Sequence, residues 1–304
     1  MKDLLDFALQ ERYDKVKKLK PNLGEMKQLI DWNSFLELFP KEEKGRGRPS
    51  YDKILMVRLL FLQGWYSLSD EELEFQVYDR LSFQQFLDYP QNIPDFTTVW
   101  RFREELTGTQ VIDNIWDELQ KQITAKNVRV QKGSIQDASF IHADPGRKNS
   151  GMEDRGLAKT SRSRDGSWTK KNNKNHFGFK LHTKVQRGSK IITNMAVTTA
   201  RVHDSKIDLS EPEDIIYRDS AYTGVKARAK GNGSMKRGKL SIRDKLRNKR
   251  ISRKRSQGEH PYATISRSFG GGHTKLTTVA RVFVQQMFVC IAYNIHRLRF
   301  LTRS

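Results

Sequence analysis

Three carboxylates stand in settings that point to chemistry. Asp137 lies within Gly-Ser-Ile-Gln-Asp-Ala-Ser-Phe-Ile-His, residues 133–142, whose apolar and β-branched neighbours predict a short strand. A charge inside such a strand is costly unless something pairs or ligates it. Asp219 ends the apolar run Ile215, Ile216, Tyr217, and Glu259 follows a dense basic segment and precedes His260, Pro261 and Tyr262. Three acids from separate elements, converging at one sheet edge, suit a divalent metal site acting on a phosphodiester. Two ions about 3.5–4 Å apart neutralise the scissile phosphate and activate the attacking oxygen. Magnesium takes carboxylate oxygen and water, and few protein ligands suffice when substrate phosphate completes its shell. The plainer readings are a strand-end turn for Asp219 and a helix N-terminal acid for Glu259. With 35 acids in the chain many such triples exist, so spacing alone does not decide between them.

The charge balance favours a polyanion as partner. Lys and Arg number 56, and the 304 residues carry a formal net charge of +21. An excess of this size attracts nucleic acid or an anionic surface. No apolar run approaches the length of a membrane span, and the N-terminus has no signal-peptide core, so membrane anchoring is not expected. Cys290, the single cysteine, excludes an intrachain disulfide and any multi-cysteine zinc site, and its apolar neighbours mark it as a small core residue.

The elements that must position these acids fall into two halves. Residues 1 to about 40 read as helical, and residues 41–49 as a charged linker broken by Gly and Pro. A buried helix is predicted over 51–66. Ser69-Asp70-Glu71-Glu72 is a capping box for a helix carrying Leu73, Phe75 and Val77, and Ser82-Phe83-Gln84-Gln85 repeats that logic. Residues 93–98 open another helix through Trp100, Arg101, Phe102 and Arg103. These short helices fit a helix-turn-helix-like DNA reader or a plain helical bundle. Val111, Ile112, Ile115, Leu119 and Ile123 mark a further helix. The period then changes: 128–130, 134–142, 177–185, 191–199 and 214–219 read as strands. Residues 146–174 read as a long exposed loop in which Trp168 either stacks on an unpaired base or anchors the loop. His203 and Asp204 cap a short helix over 203–209, and a strongly apolar helix over 277–299 ends the chain. The fold class is therefore α/β (α+β), with a helical region over 1–126 and a mixed-sheet domain over 127–304.

Residues 226–255 stand apart, with 14 Lys or Arg and one acid among 30 residues. They cannot form a core of their own. Lying between two candidate acids, this insertion belongs at the mouth of the site, where Lys245 and Arg247 would meet a phosphate backbone; a solvated tail is the alternative.

Longer motifs sharpen the choice. Asp137-Ala138-Ser139-Phe140-Ile141, Tyr217-Arg218-Asp219-Ser220-Ala221-Tyr222-Thr223-Gly224 and Glu259-His260-Pro261-Tyr262 resemble the three acidic motifs of bacterial insertion-sequence DDE transposases, of the insertion-sequence-five group. The resemblance continues through Phe177-Gly178-Phe179-Lys180-Leu181-His182, Thr198-Thr199-Ala200-Arg201-Val202-His203-Asp204 and Phe269-Gly270-Gly271-Gly272-His273. It also takes in residues 64–74 and 93–103, so it runs from about Leu36 to the end. It implies a ribonuclease-H-like catalytic domain in which Asp137, Asp219 and Glu259 bind two magnesium ions, with manganese able to substitute. It further implies cleavage and strand transfer at the element's terminal inverted repeats, and assembly as a homo-oligomer on double-stranded DNA. The helical region would bind element ends, through Arg101 and Arg103, or assemble the complex. Such a protein works in the bacterial cytoplasm, at the nucleoid when bound. Arg255 matches the family arginine ahead of the glutamate. Lys180 and His182 match residue types beside the family site, in a DNA-facing or a packing role. Two positions depart: Ser252 stands where the family has tyrosine, and Ser266 where it has lysine, with Arg267 next to it as a substitute phosphate contact. These departures fit a diverged subgroup or a catalytically inactive, transposase-derived DNA-binding protein.

Overall fold

A computed structural model describes residues 22–41, 49–126, 131–146, 163–171, 173–222 and 228–303, with 11, 12, 14, 15, 18 and 128 besides. Most of the linker over 41–49 and of the loop over 146–174 lies outside the described residues, as do Val130 and the first ten residues. The chain divides into two compact units, Met1–Asn127 with Leu298–Ser304, and Val128–Arg297. Residues 298–304, read above with the second domain, group with the helices.

In the first unit, α1 (Asn22–Leu29) and a 3-10 turn (Asn33–Leu38) precede α2 (Lys53–Tyr66), α3 (Asp70–Asp79), α4 (Leu81–Phe86), α5 (Phe96–Leu106) and α6 (Gln110–Ala125). Helix α2 is apolar nearly all round and buries ten residues from Ile54 to Trp65 besides Arg58, so it forms the centre of the unit. Each such side chain contributes roughly 1.5–3 kcal/mol. Asp52 caps its start by accepting from the Ile54 amide at 3.0 Å, and Ser67, in the left-handed region at φ 55°, ends it. Ser69 caps α3 as expected, accepting from the Glu72 amide at 3.1 Å, while the Glu72 carboxylate takes the Gln76 side chain. Of the apolar residues that α3 carries, Leu73 and Val77 are buried and Phe75 is exposed. One expectation fails: helix α4 starts after Arg80 with no side-chain cap, so Ser82 does not repeat the role of Ser69.

The second unit is a mixed sheet: β1 (Ser134–Ala143), β2 (Ser167–Lys171), β3 (Lys174–Gln186), β4 (Ile192–Thr199), β5 (Ile215–Arg218), β6 (Gly231–Ser234) and β7 (His273–Thr274). Its path is β2-β3-β1-β5-β6, with β4 on β3 and β7 on β1. Strand β1 is the hinge of the topology, antiparallel to β3 and parallel to β5 and β7. Gly178 is fixed by this pairing: at φ 149° it lies against the Ile141 carbonyl, where a Cβ would collide. This arrangement is a mixed α/β fold consistent with a ribonuclease-H-like domain. Three helices complete it, α7 (Ile242–Arg255), α8 (Glu259–Ser268) and α9 (Val279–Leu301). Helix α8 is pressed onto β1 at Gly258, where a Cβ would stand 2.7 Å from Ile135 Cγ2. Helix α9 carries Cys290 in the core, and Asn294 brackets the Ile192 backbone with bonds of 2.9 and 2.8 Å.

Part of the polar segments proves ordered. The end of the 146–174 stretch is strand β2, and the helix expected over 203–209 is a single 3-10 turn, Asp204–Lys206, capped by His203. The basic insertion, with too few apolar residues for its own core, borrows one. Strand β6 adds to the sheet edge beside β5, and α7 buries only Asn248 and Ile251 while its remaining face carries the charge.

Candidate active site

Strand β1 pairs in parallel with β5, Ser134 with Ile216 and Ile135 with Tyr217; Asp137 lies further along β1, and Asp219 directly follows the last residue of β5. The charge of Asp219 acts on Asp137. Both are partly fixed by backbone: Asp137 accepts from the Ala138 amide at 2.9 Å, and Asp219 from the Ala221 amide at 2.8 Å.

Asp137 is held from three sides. Tyr262 of α8 donates to its backbone carbonyl at 2.5 Å, and Thr183, its partner on β3, donates to the Tyr262 hydroxyl at 2.8 Å. The third contact is Arg255, the last residue of α7, whose Nη2 lies 2.8 Å from Oδ2. Burial raises the Asp137 pKa above the usual carboxylate value, Arg255 opposes that, and the Asp219 charge adds to the rise. That mutual influence is the electrostatic sign of two neighbouring carboxylates.

Glu259 opens α8 one helical turn beyond Arg255, is exposed, and has no partner among the described residues. Carboxylate oxygens of the kind Asp137 and Asp219 present suit a hard divalent ion. Among the described residues, however, no three His, Cys, Asp or Glu form a group that could hold a metal ion. At Asp137 the positive charge is supplied by Arg255.

Behind the pair lies a polar core that sequence reasoning missed. Arg218, the residue before Asp219, is 0 % exposed. Its Nη2 bonds Gln136 Oε1 at 2.6 Å and the Asp208 carboxylate. Gln136 also ties down residues 207–209, donating to the Ile207 carbonyl at 2.7 Å and accepting from the Leu209 amide at 3.2 Å. Burial works against the charge on Asp208, yet bonds from Ser210, the Arg228 amide and Arg218 hold its pKa down to about 2. The available signal was an arginine placed between the apolar run Ile215–Tyr217 and Asp219, an anomaly akin to the one that singled out Asp137. Tyr217 itself lies between Lys254, 4.6 Å above its ring, and Arg187 at 5.5 Å.

The cations named from sequence separate into two groups. Lys245, Arg267 and Arg101 are exposed, and Arg247 is half-buried with Nη1 on the Ser234 carbonyl at 2.8 Å. Lys180 is ion-paired with Asp204 at 2.8 Å and also donates to the Val202 carbonyl. His182 is a correction to any DNA-facing role. It has no exposed surface, its Nε2 lies 2.9 Å from Thr198 Oγ1, and burial pushes its pKa down to about 4. Arg103 is another: it is buried and bonds both Asp70 oxygens, at 2.7 and 2.8 Å, so it serves the helical core. Trp168 is exposed on β2 and packs against Phe177.

Comparison with known families adds two matches. A family model described as a transposase DDE domain covers residues 129–295, and one described as a transposase domain (DUF772) covers residues 10–105. No solved structure matches. Asp137, Asp219 and Glu259 all fall inside the first match. No helix among the described residues is long and apolar enough to cross a membrane.

Proposed function

This chain belongs to the transposase DDE-domain family, and we propose that it cuts DNA at the terminal inverted repeats of its own insertion element and joins the freed ends to a target. The observation that carries this reading is Asp137 on β1 under the influence of Asp219, which follows the adjacent parallel strand β5, with a basic helix ending on the first of them. On this reading Asp137, Asp219 and Glu259 hold divalent metal, magnesium or manganese, with Glu259 closing in when an element end is bound. Such ions supply charge neutralisation at the scissile phosphate and an acidified water or hydroxyl. Arg255 then exchanges Asp137 for a DNA phosphate, a bidentate acceptor of the kind guanidinium favours. Lys245, Arg247 and Arg267 follow the backbone, which fixes position without reading sequence. Arg101 serves the same end from the helical unit.

The bonds balance without an external energy source. Water attacks phosphorus in line and a 3′ hydroxyl leaves; that hydroxyl then attacks a target phosphodiester and displaces another 3′ oxygen. No covalent protein–DNA bond is needed. The protein acts in the cytoplasm as a homo-oligomer on paired ends.

The test uses labelled DNA carrying the element's terminal repeat. Wild type nicks it in magnesium, while Asp137→Asn binds it equally and does not nick. A wild-type protein that binds ends but never nicks them defeats this reading. It would leave the second one, a transposase-derived DNA-binding protein, which draws on Arg255 occupying Asp137.

A further inference from the structure

Four rings meet near the end of β1, and the chemistry proposed at Asp137 uses none of them. His142 of β1 stands opposite Gly178 on β3, which has no side chain to intervene, and level with His273 on β7. The His142 ring centroid is 4.7 Å from Phe140, 5.5 Å from His176 and 5.2 Å from His273. Phe140 and His176 are 5.4 Å apart, so the rings form one cluster across three strands. Phe140 and His142 stand at an odd spacing from Asp137 along β1, which puts them on the other face of the sheet from that acid.

The cluster is open to solvent. His142 and His273 are exposed, and Phe140 and His176 are half-buried. Its geometry says what kind of contact it offers. The His142 and His273 planes are stacked, 27° apart, so the pair presents π faces rather than nitrogens turned to a common point. Burial first, and then His273 and His176, hold the His142 pKa below 6.5, so this ring is uncharged at neutral pH. An uncharged stacked ring suits another flat π system better than it suits an anion. Positive charge stands at the rim instead. Lys174, at the start of β3, and Lys275, just past β7, are exposed, each two residues from a histidine of the cluster. Rings for bases with lysines for phosphates are the combination that holds a single nucleic-acid strand. A duplex cannot use the rings, because its bases are already stacked on one another.

We infer that Phe140, His142, His176 and His273 form a seat for an unpaired base of single-stranded DNA, with Lys174 and Lys275 on the neighbouring phosphates. The base continues the stack begun by His142 and His273. The inference rests on the reading of this chain as DNA-binding, and not on the chemistry at Asp137. Stacking of a base on an aromatic side chain contributes roughly 5–150-fold in affinity.

The probe is a short single-stranded oligonucleotide carrying one aminopurine, compared with the same strand annealed to its complement. Binding to the full chain is read from quenching of the aminopurine for the single strand and from anisotropy for the duplex. His142→Ala and His273→Ala should each weaken single-strand binding by roughly 5–150-fold, with duplex affinity and thermal midpoint as in wild type. His142→Phe, which keeps a ring and loses the nitrogens, should bind the single strand as wild type does. Unchanged single-strand affinity in both alanine variants overturns the inference and leaves the proposed function standing. A phenylalanine variant as weak as the alanine one also overturns it, since nitrogen rather than ring would then be what matters. So does an equal fall in single-strand and duplex affinity, or a thermal midpoint that falls in step with binding in both alanine variants. If wild type binds neither strand nor duplex, the DNA reading fails and takes this inference with it.

Discussion

Asp208→Asn removes one charge and almost no volume, and its consequence follows from Arg218. That guanidinium is 0 % exposed and its Nη2 is shared between Asp208 and Gln136, while Nε and Nη1 have no partner among the described residues. Asp208 is its only ion-pair partner among the described residues. Neutralising that partner strands a buried cation, a change that costs about 3–5 kcal/mol. For a unit of this size each kcal/mol lowers the thermal midpoint by about 2–4 °C, so the expected fall is about 6–20 °C by calorimetry. Removing the cation as well, Asp208→Asn with Arg218→Met, should recover most of the loss, because no buried charge is then left without its partner. Because Arg218 adjoins Asp219, Asp208→Asn should also weaken Mn2+ binding. A midpoint within about 2 °C of wild type would refute the claim that this charge depends on Asp208.

Other consequences are open to direct measurement. Arg255→Gln takes away the charge that opposes burial at Asp137, so the Asp137 pKa should move further up in a carboxylate NMR titration; a midpoint at or below the wild-type value contradicts the ion pair. His182 gives stability its own pH dependence. Its folded pKa is depressed from 6.5 to about 4, so its contribution is fully present above pH 6.5 and is lost as pH falls towards 4, because the unfolded chain takes the proton first. The loss should reach about 3 kcal/mol in urea unfolding. His182→Gln should lack that slope; equal slopes in both proteins dismiss the account.

The strands and helices of strong period were legible because their signal is local. Residues 177–185 alternate apolar with polar residues as a strand does, and the all-apolar run in α2 could only be buried. Elements β2, β6 and α7 were not, for a common reason. Each is polar or glycine-rich and is ordered by what it joins: β6 by the free edge of β5, α7 by Asn248 and Ile251 turned inward. Propensity does not register a sheet edge supplied by another segment. The candidate cations show the same limit. Arg101 and Arg103 are two residues apart on one helix, yet Asp70 claims only the second.

By itself the sequence determined which acids to examine, what chemistry they suit, the basic character of their surroundings and the change from helical to strand period between the two halves. Those are properties of residue type and near spacing. The tertiary structure alone decided that the strand ending before Asp219 pairs with the strand of Asp137, that Arg255 reaches across 118 positions to Asp137, and that Arg218 is committed to Asp208 and Gln136. It also decided that the Tyr222 hydroxyl is buried without a partner among the described residues. Each of these depends on strand register and helix docking, which are fixed by the packing of residues distant in the chain.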